Sequence, residues 1–170
     1  MDFDTAFQTL INPQHEGGYS IVRNDPGNWT GGSVGVGVLK GTKYGISAKT
    51  YPNLDIVNLT IPQAKAIYYP DYWLAAGCDK VPPVVAYQVF DAAVNNGVGA
   101  ARRFLQRAAG VAQDGIIGPV TQAALAAANP YLLAARFEMA RLDYDASLGN
   151  WDDNSQGWVR RSVANIYALT

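Results

Sequence analysis

Two carboxylates stand out by position. Glu16 lies in His15-Glu16-Gly17-Gly18-Tyr19, directly after a helical pattern and before two glycines, an odd place for a solvated surface charge. Asp25 follows nine positions later in Asn24-Asp25-Pro26-Gly27, a turn signature that can aim its side chain back across the connection. His15 is the single histidine, so the groups available for acid–base work are carboxylates. Glycoside cleavage needs an acid to protonate the leaving oxygen. It also needs a second group to activate water or stabilise an oxocarbenium-like transition state, and Glu16 with Asp25 can form that pair. Asp25 also has a reading with no chemistry in it, because aspartate favours such turns for backbone reasons alone.

Composition narrows the alternatives. With 13 Lys+Arg against 14 Asp+Glu the formal net charge is −1, so no overall field draws the chain to nucleic acid or to an anionic membrane. One cysteine, Cys78, cannot close an internal disulfide, and one histidine excludes the usual His-rich zinc sites; neither a metal nor a cofactor is expected. At 49% hydrophobic and 16% charged, the 170 residues suit one domain that folds alone, and a monomer is expected. No stretch reaches the roughly 18 apolar residues of a membrane span, so no stable insertion is expected. The opening MDFDTAFQTLINPQ lacks the basic start and unbroken apolar run of a secretory signal, which points to a cytoplasmic origin.

The elements that must position these residues follow from periodicity. Phe3, Phe7, Leu10 and Ile11 predict a helix over 3–12, closed by Pro13. From Gly17 to Gly45 the chain is dense in glycine, and Ser33 to Lys40 alternates like a strand, so a β-hairpin region is expected over 17–47. Helices are then expected over 60–69, with Thr60 and Gln63 as a capping box, and over 84–96, 101–109, 119–128, 130–148 and 156–168. A small β element followed by a run of helices is an α+β pattern, with no linker long enough to divide it.

Glu16-Gly17-Gly18-Tyr19, Asp25-Pro26-Gly27 and Thr42-Lys43-Tyr44-Gly45-Ile46-Ser47, in that order, resemble the signature of glycoside hydrolase family 108, the phage and prophage muramidases. The likeness continues through Ala64 to Trp73, while Phe90 to Gln106 and Asp114 to Thr121 resemble the peptidoglycan-binding segment of the family's C-terminal half. The resemblance implies a lysozyme-like fold, mainly helical with a small β-hairpin region after the first helix. It implies one domain over 1–170, with a catalytic part over approximately 3–95 and an integrated, peptidoglycan-binding-like part over approximately 96–170. It further implies a catalytic triad of Glu16, Asp25 and Thr42, and cleavage of the β-1,4 bond between N-acetylmuramic acid and N-acetylglucosamine. Such an endolysin accumulates in the host cytoplasm and reaches periplasmic peptidoglycan through a holin-type pore. Short members pass almost directly from the Asp-Pro-Gly turn to the threonine; this chain inserts Asn28 to Gly41, which leaves Thr30 as a rival to Thr42.

Tyr19, Tyr44, Trp73 and Asn95 are the expected substrate contacts, the aromatics by stacking on sugar rings. Trp73 can equally be core, Asn95 can simply end a helix before Gly97, and Trp29 can sit at the hairpin tip. Arg102, Arg103, Arg107, Arg160 and Arg161 read as solvated faces, with muropeptide carboxylates or outer-membrane phosphates as other partners. Arg136, Glu138, Arg141 and Asp145 read as ordinary charge support along a helix, and Cys78 as buried and inert. A lytic transglycosylase and a non-catalytic cell-wall-binding module are the competing functions.

Overall fold

The computed structural model describes residues 1–12 and 18–168. Helix α1 is Phe3–Leu10, β1 Tyr19–Ser20, β2 Thr42–Lys43 and β3 Ile46–Ser47; the helices α2 to α7 are Ile61–Tyr68, Pro83–Asn96, Val98–Ala109, Pro119–Ala127, Pro130–Ala146 and Trp151–Tyr167. The α+β class expected from the sequence is the one observed. The chain falls into two compact units, Phe7–Tyr69 and Met1–Ala6 with Pro70–Thr170.

The Phe7–Tyr69 unit holds the sheet, whose strands are antiparallel in the order β1-β2-β3. Each strand is two residues long, too short for its ladder to stand alone, so side chains must fix it. Phe7, Leu10, Ile46, Ile56, Leu59 and Tyr68 are buried, and the Phe7 and Tyr68 rings lie 5.8 Å apart. Lys43 donates through Nζ to Val57 O at 2.8 Å, and Lys40 to Pro52 O at 2.7 Å. The capping box expected at α2 is present, with the Thr60 N–H donating to Gln63 Oε1 at 2.9 Å.

The strand expected over Ser33 to Lys40 does not form. Gly35 and Gly37 take φ of +80° and +79°, left-handed conformations that interrupt an extended chain, and Val34, Val36 and Val38, which alternate with them, face solvent. The apolar alternation is that of a looped segment. Its return is nonetheless closed: Thr30 N–H donates to Val38 O at 3.0 Å, Gly31 N–H to Val36 O at 3.1 Å, and Trp29 bridges Leu39. A Cβ on Gly37 would collide with Thr30 Oγ1, so the tight return requires glycine there.

In the second unit α3 is buried on almost every side from Val85 to Ala93 and packs against α4 and α6. Helix α4 also packs on α6, and α6 on α7. A π-helical turn, Tyr69–Leu74, succeeds α2. It contains Pro70, whose ring and missing N–H are incompatible with an ordinary α-turn there. Trp73 is 5% exposed, with its ring edge-on to Phe3 and Phe90 at 5.5 Å each. Cys78 is buried, and burial pushes its thiol pKa up.

The charges on α6 form the expected pairs along the helix, Arg141 with Glu138 and with Asp145, but are more than ordinary helix support. Glu138, Arg141 and Asp145 are all buried, because α3 and α7 cover that face. Asp91 on α3 accepts from Arg141 at 2.7 Å and from Arg161 at 2.8 Å, so Arg161 is not a free surface charge either. Asn165 donates to both Asp91 and Glu138, at 3.2 and 3.1 Å. Arg102 is likewise a tie within the fold, donating to Ala75 O and Gly115 O.

Candidate active site

The site is built on the Asp25 turn. Asp25 caps a short 3-10 turn, Pro26–Asn28, in which its Oδ1 accepts the Gly27 N–H at 2.8 Å while Pro26 fixes the following φ. Its Oδ2 accepts the side-chain amide of Asn28 at 2.6 Å. The carboxylate is exposed yet held at both oxygens. Trp29 secures the turn from its other end, its indole N–H donating to Arg23 O at 2.8 Å rather than marking a hairpin tip.

Asn28, 1% exposed, is the residue the sequence did not single out. Its Oδ1 accepts from Val22 N at 2.9 Å, and its backbone carbonyl accepts from Lys40 N at 2.9 Å and Gly41 N at 3.1 Å. Those last two bonds bring the far end of the 28–41 loop back to its start. Thr42, next in the chain, therefore lands beside Asn28, whose Nδ2 lies 3.4 Å from Thr42 Oγ1. One buried amide thus joins Asp25 and Thr42. Thr42 lies on the central strand, paired with Ser20 on one side and Ser47 on the other, so its side chain has little freedom of place. A Cβ on Gly41 would strike Ser20 O, so the approach to Thr42 also demands glycine.

Thr30 is differently engaged: its Oγ1 accepts from Val38 N at 2.8 Å, closing the loop. Tyr19 is 41% exposed and donates to Lys40 O at 3.2 Å. Tyr44 and Gly45 take φ of +52° and +76°, the two left-handed residues of a tight turn joining β2 to β3. For tyrosine that conformation is strained by about 1–2 kcal/mol. Its N–H donates to Gly18 O at 3.0 Å and its carbonyl accepts from the Tyr68 hydroxyl at 2.8 Å, which holds it there.

Glu16 lies outside the described residues, as do His15 and Gly17. Trp73 and Asn95 belong to the other unit. There Trp73 takes the core packing described above, and Asn95 is exposed at the end of α3, donating to Asp91 O at 2.8 Å. In that unit the Asp114 turn is fastened from within: Gln106, 1% exposed, donates to Asp114 Oδ1 at 2.6 Å and accepts from Gly115 N at 2.7 Å. Among the described residues no helix is long and apolar enough to cross a membrane.

Residues 11–97 match the family model described as glycosyl hydrolase 108, and residues 100–163 match one described as a predicted peptidoglycan domain. A solved structure titled "Structure of Brucella abortus SagA" superposes with a TM-score of 0.83 at 27% identity, covering 98% of this chain and 92% of that one. No curated protein sequence matches.

Proposed function

The chain belongs to the glycosyl hydrolase 108 family and is a peptidoglycan hydrolase of lysozyme-like fold, and we propose that it is a muramidase acting through Glu16, Asp25 and Thr42. The bond we assign is the β-1,4 link from N-acetylmuramic acid to N-acetylglucosamine. Glu16 donates its proton to the departing glycosidic oxygen as the C1–O bond breaks. Asp25 polarises a water that adds to C1, and the Thr42 hydroxyl orients that water; the proton released from water restores the acid over the cycle. The observation that carries this reading is the Asn28 amide, placed between Asp25 Oδ2 and Thr42 Oγ1. An acceptor carboxylate and a hydroxyl presented together suit the handling of one water molecule.

The test is digestion of purified peptidoglycan, with the new ends identified by mass spectrometry. Muramidase action leaves reducing N-acetylmuramic acid; anhydro ends would instead make the chain a lytic transglycosylase. Glu16→Gln, which keeps shape but lacks the proton, is expected to lose roughly 10²–10⁴-fold in rate. A variant keeping a tenth of the parent rate would remove Glu16 from its role.

The setting we propose is phage-type host lysis by a monomer. It accumulates in the cytoplasm and reaches the periplasmic glycan through a holin-type pore made by another protein. Expression in a Gram-negative host should clear the culture only when a pore-forming partner is co-expressed. Clearing without the partner would overturn that route.

A further inference from the structure

Outside the sheet-bearing unit, the strongest uncommitted chemistry lies along the seam where α4 packs on α6. Two adjoining cavities open there, of about 360 and 250 Å³, sharing Arg107, Ala140 and Asp143. Small residues, Ala100 and Ala140, form the floor, which is why a groove exists at a helix–helix contact that larger side chains would fill. Arg136 stands at one end and Arg103 at the other. Between them Arg107 and Asp143 form an exposed ion pair at 2.6 Å. Among the described residues neither Arg103 nor Arg136 has an acidic partner, so two unneutralised arginines line the groove, the Arg103 guanidinium lying at its end beside Gly99 and Gly115. Tyr144 adds a half-exposed ring to the Arg103 end.

We propose that this groove binds the peptide stem of peptidoglycan through its free carboxylates. The identity of the ligand rests on the peptidoglycan-hydrolase reading; the existence of the site rests on the groove. Guanidinium forks match carboxylates in geometry as well as charge. The central Asp143 decides between anions. A carboxylate in mid-groove repels a compact multivalent phosphate, whereas a stem peptide carries carboxylates separated by amides and, at diaminopimelate, an ammonium that Asp143 can receive. The groove residues lie between 100 and 147, inside the segment matched as a peptidoglycan domain. Engaging a stem there would anchor the enzyme to its polymer independently of the glycan in the cleavage site.

The probe is the soluble tripeptide L-Ala-γ-D-Glu-meso-diaminopimelate, titrated into the full chain at low ionic strength by calorimetry or NMR. Saturable binding is expected, weakened at least about tenfold when the carboxylates are amidated. Arg103→Gln and Arg136→Gln should each cost about tenfold in affinity, the size of one exposed charge-assisted contact, with unchanged melting temperature. Arg→Lys at either position should recover part of the loss, and raised salt should weaken binding throughout. No saturable binding, equal affinity for the amidated peptide, or inorganic phosphate binding more tightly than the tripeptide would each overturn the proposal. Cleavage of sacculi is scored separately. A chain that binds the tripeptide but cuts no glycan keeps the groove and loses the muramidase, and the reverse result does the opposite.

Discussion

Replacing Asn28 tests whether the buried amide positions chemistry or merely holds a loop. In Asn28→Ala the backbone bonds to Lys40 and Gly41 survive, but three side-chain relations go: to Val22 N, Asp25 Oδ2 and Thr42 Oγ1. Val22 is half exposed, so losing the acceptor of its N–H costs about 1–2 kcal/mol, and the lost bond to the exposed Asp25 carboxylate roughly 1 more. A total of about 2–3 kcal/mol corresponds to a fall in melting temperature of roughly 4–12 °C for a chain of this size. The kinetic effect is separate. A displacement near 1 Å of a group acting on the attacking water costs on the order of 10²-fold, and Asp25 and Thr42 are aligned by the same amide. We expect kcat to fall about a hundredfold with KM within a few-fold, measured by reducing-end release from purified peptidoglycan well below the variant's melting temperature. Asn28→Asp separates the two effects. It keeps an acceptor for Val22 N but sets a second carboxylate oxygen 2.6 Å from Asp25 Oδ2, turning attraction into repulsion at the site itself. It should lose at least as much kcat as the alanine variant. If Asn28→Ala melts early but turns over within threefold of the parent, the amide holds the loop and the positioning argument is wrong.

Thr42→Ala should lose most activity, while Thr30→Ala, whose hydroxyl serves Val38 N, should show a lower melting temperature and near-parental initial rates; the reverse ranking would move the water-orienting role to Thr30. For Glu138, burial, only partly offset by the Arg141 charge and by Ser162 and Asn165, raises the pKa from 4.5 to about 7. The folded chain therefore holds this proton more tightly than the unfolded one. Below pH 4.5 both are protonated and nothing is lost; from there to about 7 the folded state progressively loses about 3 kcal/mol, in full above pH 7. In urea melts, Glu138→Gln should gain roughly 2–3 kcal/mol on the parent between pH 5 and pH 8, and a pH-independent difference would refute a buried, proton-holding carboxyl.

The helices were legible because their signals are local. The Thr60–Gln63 box, the first-turn prolines of α3, α5 and α6, and the apolar spacing of α3 each act within a turn or two of chain. Where the outcome depends on distant chain, the same residues are ambiguous. Glu138, Arg141 and Asp145 have the i, i+3, i+4, i+7 spacing of an exposed salt-bridged face, and nothing within α6 reveals that α3 and α7 bury it. The valines of 34, 36 and 38 alternate as a strand does, and only the left-handed glycines between them decide otherwise. At the candidate site, Asp25 and Thr42 stand out in the sequence by type and motif. Asn28 was not, since an asparagine after Asp-Pro-Gly is an ordinary turn residue until a loop closing on its carbonyl buries it.

The two units hold their parts in place by different means. In Phe7–Tyr69 the strands are minimal, and polar ties to backbone from Asn28, Trp29, Lys40, Lys43 and Tyr68 do what long ladders do elsewhere. A scaffold of this kind brings the carboxylate of a turn, Asp25, beside the hydroxyl of a strand, Thr42, through one side-chain amide. In Pro70–Thr170 the order comes from burial, and there the boundary between the two matched family segments, 11–97 and 100–163, runs between α3 and α4, which pack on each other. Asp91 from the first segment is neutralised by Arg141 and Arg161 from the second. A chain cut at that boundary would leave the Asp91 carboxylate buried without its guanidiniums, or expose the apolar girth of α3 from Val85 to Ala93. The segment described as a peptidoglycan domain thus supplies part of the core around α3, the last helix of the segment before it.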